Sequence, residues 1–152
     1  MTNYWVVETY TKKLMSKVSL EDDTLHQQVI YAKGAPNERC YLECPTVTGN
    51  QSDDYVEVDG DPEQGGASAL SLSYDATTHQ QACLDKMRDE RQKKLQDTDW
   101  MMSVDIVPNE VLTQTQQDNW AAWRQELRDL PENTADTRDF DFESDWPAEP
   151  LV

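Results

Sequence analysis

The spacing of the apolar residues changes at residue 75, and this change limits the folds open to the chain. Before this point, short apolar and β-branched runs alternate with polar residues and are separated by Gly, Pro, Asn and Asp. After it, helical signals replace the alternation, most clearly at Trp120, Trp123, Leu127 and Leu130, which recur at i, i+3, i+7 and i+10. Alternation is typical of half-buried strands, and the wider spacing is typical of amphipathic helices. The sequence therefore predicts an α+β protein that begins with a small antiparallel β domain at residues 1–75.

Several short strands separated by turn residues predict a small antiparallel sheet or barrel in this first part. The segment around Cys40 alternates, so Cys40, Leu42 and Cys44 should share one face of a strand. The stretch from Met15 to Gln28 is ambiguous. The candidate strands are Tyr4–Tyr10, a run centred on Val29–Ala32, Arg39–Cys44, Tyr55–Gly60 and Ala69–Tyr74.

Residues 76–131 are predicted to form a hairpin of two helices. Asp75 is suited to cap a first helix that runs to about residue 97. Thr113 and Gln116 match a capping box at the start of the second helix. Pro131 is expected to end that helix, because the residue before a proline disfavours helical geometry.

The last 21 residues, 132–152, are expected to form an extended acidic tail that does not pack. They contain seven carboxylates, three aromatic residues and two prolines, and their one basic residue is Arg138. Segments of this composition tend to remain extended. The predicted organisation therefore has three parts: a β-rich domain, a helical hairpin and this tail.

Charge excludes some classes of partner. The chain has 30 Asp and Glu against 13 Lys and Arg, a net charge of −17. Nucleic-acid backbones and anionic membrane surfaces attract basic proteins, so direct binding to either is not expected. The basic residues between Lys86 and Lys94 form a local exception. This basic face is either covered by the chain's own acidic tail or exposed until a partner arrives.

The sequence shows no motif for catalysis, a metal or a cofactor. His26 and His79 have no Ser or Cys in a recognised nucleophile context, so structural or surface roles are expected for both. Cys40 and Cys44 are better interpreted as buried thiols than as zinc ligands, which need four groups at tighter spacing. Three cysteines do not make a disulfide framework, and no signal peptide is recognisable, so we expect a cytosolic protein with reduced thiols.

The tryptophans of the second half suggest a binding surface. Trp120, Trp123 and Leu127 recur at helical spacing, which fits either the core between two helices or a contact face. Tryptophan and arginine are enriched among the residues that dominate binding energy. The candidate partner-binding residues are Trp100, Trp120, Trp123, Arg124, Leu127, Arg128 and Trp146.

Three sequence elements carry a family resemblance. They are "ERQKKLQDTDW" at residues 90–100, "WAAWRQELRDLP" at residues 120–131 and "DWPAEP" at residues 145–150. In order and spacing they resemble the C-terminal region of bacteriophage tail assembly chaperones, also called tail-fibre assembly proteins. The resemblance implies a non-enzymatic phage protein that binds a tail or tail-fibre protein in the host cytoplasm during assembly.

Other functions stay open at the level of sequence. The protein could instead remain in the virion as a structural component of the tail, baseplate or fibre attachment. Its acidity also fits a DNA mimic that inhibits a host enzyme, although the basic residues from Lys86 to Lys94 interrupt the acidic field. A hydrolase or metal enzyme would need a nucleophile–base pair or a set of ligands that the sequence does not show.

Overall fold

The computed structural model describes residues 1–21, 30 and 33–151. The chain divides into two compact units. The first consists of Met1–Val47 with Gln51–Ala76, and the second of Thr48–Asn50 with Thr77–Val152. Each unit has its own cluster of buried apolar side chains.

The first unit contains a three-stranded antiparallel sheet in the order β2-β1-β3. The aromatic and β-branched residues of β1 suit a strand that is paired on both sides. The ambiguous stretch after Met15 belongs to β2 as far as Leu20. The run predicted at residues 29–32 lies outside the described residues, apart from Ile30. The strands are β1 (Thr2–Glu8), β2 (Lys13–Leu20) and β3 (Arg39–Glu43).

One face of this sheet carries the buried cluster of the first unit. Val7 lies opposite Cys40 across β1 and β3, and Trp5 lies opposite Leu42. Cys40 and Leu42 are buried, which confirms their shared face, whereas the neighbouring Cys44 is half-buried. Burial raises the pKa of the Cys40 thiol, as expected for a thiol in apolar surroundings.

Two further strands, β4 (Val56–Asp59) and β5 (Ser71–Tyr74), pair antiparallel in the first unit. Val58 lies opposite Leu72, and both pack against the buried cluster. Gly60 follows β4 with a φ of 102°, and a Cβ there would lie 1.9 Å from the carbonyl oxygen of Ala69. Only glycine fits this close approach. The two sheets confirm the antiparallel β part of the predicted α+β fold.

The second unit is built on two helices, α1 (Ala76–Asp97) and α2 (Gln114–Asn133). The start of α1 directly after Asp75 and its end at Asp97 match the prediction. The predicted capping box is confirmed: the N–H of Gln116 donates to Oγ1 of Thr113 at 3.2 Å, and the Gln116 side chain accepts from the Thr113 N–H at 2.8 Å.

The prediction that Pro131 ends α2 is wrong, because the helix continues to Asn133. A proline in the last turn removes one intrahelical hydrogen bond and leaves the preceding turns intact. Thr134 compensates at the end of the helix. Its backbone N–H and its hydroxyl both donate to the carbonyl of Leu130, at 3.0 and 2.7 Å.

The prediction that the last 21 residues do not pack is also wrong. Phe140 is 5% exposed, and Trp146 packs against the buried cluster of the two helices. The hydroxyl of Thr137 donates to the carbonyl of Gln80 on α1 at 2.9 Å. Composition alone does not show this, because a few aromatic side chains are enough to anchor an otherwise acidic segment.

Candidate functional site

The predicted tryptophan face is the core between α1 and α2. Trp120 and Trp123 are each 3% exposed, and their rings meet edge to face with centroids 5.4 Å apart. Leu127 is fully buried beside them, together with Leu95 of α1 and Leu112 of the linker. Edge-to-face packing of indoles adds to the free energy of simple apolar burial. In this conformation these three α2 side chains stabilise the unit and are not open to a partner on its surface.

Arg124 lies inside the same unit and joins α2 to the end of α1. One guanidinium nitrogen donates to the carbonyl of Leu95 and to Oγ1 of Thr98, and the other donates to Asp99 at 2.6 Å. The last carbonyls of a helix lack partners within the helix and form the negative end of its dipole. A buried guanidinium donates hydrogen bonds to these carbonyls, and its positive charge interacts favourably with the negative end of the dipole. Arg124 is therefore placed as a cap for α1 and not at an exposed rim.

Residues 134–151 of the second unit, which we call the C-terminal strap, are held by an aromatic cluster. Phe140, Phe142 and Trp146 pack edge to face, and the ring centroid of Phe140 lies 5.1 Å from the centroid of each of the other two rings. Nζ of Lys86 lies 4.3 Å from the Phe142 ring centroid, and Nζ of Lys94 lies 5.1 Å from that of Trp146. These are cation–π distances. Aromatic rings of the strap thus contact part of the basic face of α1.

Polar contacts fix the two ends of the strap. Nε1 of Trp123 donates to the carbonyl of Pro147 at 2.9 Å. The short segment Thr48–Asn50 holds the other end: the N–H of Asn50 donates to the carbonyl of Arg138 at 2.9 Å. A Cβ on Gly49 would lie 2.4 Å from Cβ of Arg138, so this approach requires glycine.

His79 and Asp136 take structural positions at the same end of the unit. His79 is buried and its Nε2 lies 2.7 Å from the carbonyl oxygen of Asn50, so the side chain is part of the packed interior of this unit. The side chain of Arg138 donates to both carboxylate oxygens of Asp136 and lowers its pKa below the ordinary value of 3.8. His26 lies outside the described residues.

The accessible candidates are few. Trp100 is 49% exposed, and the side chain of Arg128 is exposed on α2. Trp146 is half-buried, and its Nε1 donates to the carbonyl of Phe142 at 2.9 Å. Of the seven candidate residues, Trp100 and Arg128 are therefore the two whose side chains present most surface to a partner.

Two exposed apolar residues in the linker are not among the seven candidate residues. Val104 is 85% exposed and Val111 is 54% exposed, and both lie between α1 and α2 with Trp100. The sequence does contain a signal for exposed apolar residues here, because the linker "WMMSVDIVPNEVL" is unusually apolar for a connection between helices. The pattern does not separate the residues that anchor the linker, such as Leu112, from those that face solvent.

The described residues have free cysteines and no clustered metal ligands. Within them, no group of three or more His, Cys, Asp or Glu residues could hold a metal ion. Cys83 on α1 is free and half-buried, and burial raises its pKa. No helix in the described part of the chain has the length and apolar character needed to cross a membrane.

The three sequence elements that carry the family resemblance meet in this unit. Thr98 and Asp99 of the first element bind Arg124 of the second. Trp123 of the second element binds Pro147 of the third, and Lys94 of the first lies over Trp146 of the third. The elements are therefore parts of one packed arrangement.

Comparison with known families agrees with this arrangement. Residues 84–151 match the model of a family described as phage tail assembly chaperone protein. The match spans all three elements and lies within the second unit. No curated protein and no solved structure matched the chain. The resemblance predicted for residues 90–150 is confirmed, because this C-terminal region matches the phage tail assembly chaperone family model.

Proposed function

We propose that this protein acts without catalysis, by binding a tail or tail-fibre protein in the host cytoplasm while the phage tail assembles. The family match over residues 84–151 is the observation that carries the proposal, and it supports a role in tail assembly. The packing of the second unit adds to this support, because the three family elements build a fixed scaffold and leave Trp100 and Arg128 accessible.

The binding partner is tested by capture with the full chain. The tagged protein is co-expressed with each tail, baseplate and fibre protein of its phage, and the captured protein is identified by mass spectrometry. Trp100→Ala and Arg128→Ala should each weaken capture by roughly 1–3 kcal/mol, as truncations of central interface residues do. Trp123→Ala is unsuitable for this test, because its buried ring stabilises the fold.

A control separates binding from folding. The Trp100 and Arg128 variants must keep the circular dichroism spectrum and unfolding midpoint of the unmodified protein, as exposed substitutions usually do. Unchanged capture by both variants would exclude these two residues from the contact. Capture of none of the phage's tail, baseplate or fibre proteins, together with normal tails when the gene is disrupted, would contradict the proposed function.

A second candidate is a protein that stays in the particle at the tail, baseplate or fibre attachment. It is favoured by the first unit, which has its own sheet and buried cluster and lies outside the matched region. A structured unit outside the matched region is compatible with a docked structural component. Quantitative mass spectrometry of purified particles distinguishes the two: a fixed copy number indicates a resident component, and absence indicates release after assembly.

A further inference from the structure

We infer that the linker between α1 and α2 is a docking surface for a partner segment that combines apolar side chains with lysine or arginine. This linker surface is defined by Trp100, Val104 and Val111, with Asp105 and Glu110 beside them in sequence. The inference rests on the proposed function and deepens it, because it states where the partner binds and what the bound segment is made of.

Exposed apolar side chains are concentrated in the linker. Of the seven large apolar residues exposed in the described part of the chain, three are the linker residues Trp100, Val104 and Val111. Two others, Met1 and Leu151, lie at the ends of the chain, where exposure is ordinary. A local concentration of exposed apolar side chains is typical of an interaction site.

Hydrogen bonds to the linker backbone order this segment and present its exposed side chains. The N–H of Val111 donates to the carbonyl of Ile106 at 3.1 Å. The side-chain amide of Gln117 on α2 donates to the carbonyls of Met101 and Ser103, at 3.3 and 3.4 Å. Leu112 anchors the far end in the core. A preorganised surface loses less conformational entropy when a partner binds.

The charge around the linker selects the partner. From residue 95 to residue 123 the sequence contains no Lys or Arg and five carboxylates. Asp105 and Glu110 are exposed within the linker itself. An apolar surface bordered by negative charge is complementary to an apolar segment with flanking basic residues, and it repels acidic partners. A second copy of this chain would bring its own net charge of −17, so the heterologous partner is favoured.

A peptide experiment tests the surface independently of any tail protein. The full chain is titrated with a short labelled peptide of leucine and alanine that carries lysines at both ends, and with a matched peptide that carries glutamates. We expect the lysine peptide to bind and the glutamate peptide not to bind. The double variant Val104→Ser/Val111→Ser should weaken binding of the lysine peptide roughly tenfold, because two apolar contacts are lost.

Met15→Ser is the matched control, since Met15 is an exposed apolar residue of β2 in the first unit. It should leave the affinity unchanged. Equal affinity of the double variant and the unmodified chain would overturn the inference, because attraction would then come from net charge alone. Sedimentation of the unmodified chain should give the mass of a single copy. A dimer that dissociates in the double variant would assign the linker surface to a second copy and also overturn the inference.

Photo-crosslinking identifies the natural segment. A photoreactive residue at position 104, or at position 15 as control, is placed in the full chain co-expressed with the phage's tail proteins. We expect an adduct from position 104 to an apolar segment flanked by Lys or Arg. An adduct from position 15 only, or to an acidic segment, would overturn the linker assignment while leaving the proposed function intact. Absence of tail-protein capture together with normal tails after gene disruption, with the peptide result retained, would instead contradict the proposed function alone.

Discussion

At the scale of single residues, Arg124 links several parts of the second unit. Its guanidinium reaches the last turn of α1 through Leu95, and the following segment through Thr98 and Asp99. It is buried, whereas Asp99 remains largely exposed to solvent. Removing the guanidinium would take one donor from the Leu95 carbonyl, which keeps the Thr98 N–H, and one donor from the Thr98 hydroxyl. Losing hydrogen bonds from a charged group is costly.

Arg124→Ala is expected to lower the free energy of unfolding by about 2–3 kcal/mol, the range for losing hydrogen bonds from a charged group. Urea unfolding followed by tryptophan fluorescence measures it, since four of the five tryptophans lie in the second unit. Arg128→Ala is the matched control, because it removes an exposed arginine from the same helix and should change stability by less than about 0.5 kcal/mol. Equal effects of the two variants would contradict the capping role.

Asp136 makes the stability of the second unit depend on pH. The side chain of Arg138 holds the pKa of Asp136 below 3.8, so folding favours the ionised carboxylate. The contribution of Asp136 to the free energy of unfolding is fully present above pH 3.8. It is lost as the pH falls through the pKa of Asp136 in the folded protein, which lies below 3.8. Arg138→Ala should therefore raise the pKa of Asp136 toward 3.8. Carboxyl carbon NMR measures the shift, and an unchanged titration midpoint in this variant would exclude Arg138 as the cause.

At the scale of elements, the C-terminal strap is joined to α1 by aromatic rings. Lys86 lies over Phe142 and Lys94 over Trp146, and Trp123 holds the carbonyl of Pro147. The sequence leaves open whether the acidic tail covers the basic face, and the structure shows rings of the tail lying against two of its lysines. Aromatic contacts lose less strength in salt than pairs of exposed charges would.

Trp146→Ala is expected to loosen the strap, and trypsin should then cleave after Lys86 and Lys94 several times faster. Because the ring that is removed is half-buried, we expect the free energy of unfolding to fall by about 1–3 kcal/mol, which is less than for a fully buried tryptophan. Trp100→Ala is the control, because it removes an indole of the same unit that is 49% exposed and lies outside the strap in sequence. Unchanged cleavage rates in the Trp146 variant would show that the strap does not protect α1.

Local signals predict the ends of elements well only where the contacts that fix an end are themselves local. The Thr113 and Gln116 box is correct because both of its hydrogen bonds lie within one helical turn. Pro131 is misjudged because the loss of one hydrogen bond in a last turn is small beside the packing of the whole helix. The packing of Phe140 and Trp146 depends on α1 and on Asn50, residues distant in sequence, so composition could not predict it.

At the scale of the whole molecule, the dominant feature is the net charge and its effect on stability. The net charge of −17 produces self-repulsion that opposes the compact state. Raising NaCl from about 10 mM to about 150 mM shortens the screening length from roughly 30 to roughly 8 Å. The midpoint of thermal unfolding should therefore rise with salt, which scanning calorimetry measures. A falling midpoint would indicate that native ion pairs such as Lys17–Asp53 outweigh the repulsion.

The sequence by itself determined the fold class, the helix starts and the family resemblance of the C-terminal region, because these depend on periodicity, on local capping and on the order of short elements. It also marked the tryptophans and Arg124 as important. Only the tertiary structure decided which of them are buried. Burial depends on what packs against a side chain, and Leu95, Leu112 and Pro147 come from three different segments. The same packing left Trp100, Val104 and Val111 facing solvent.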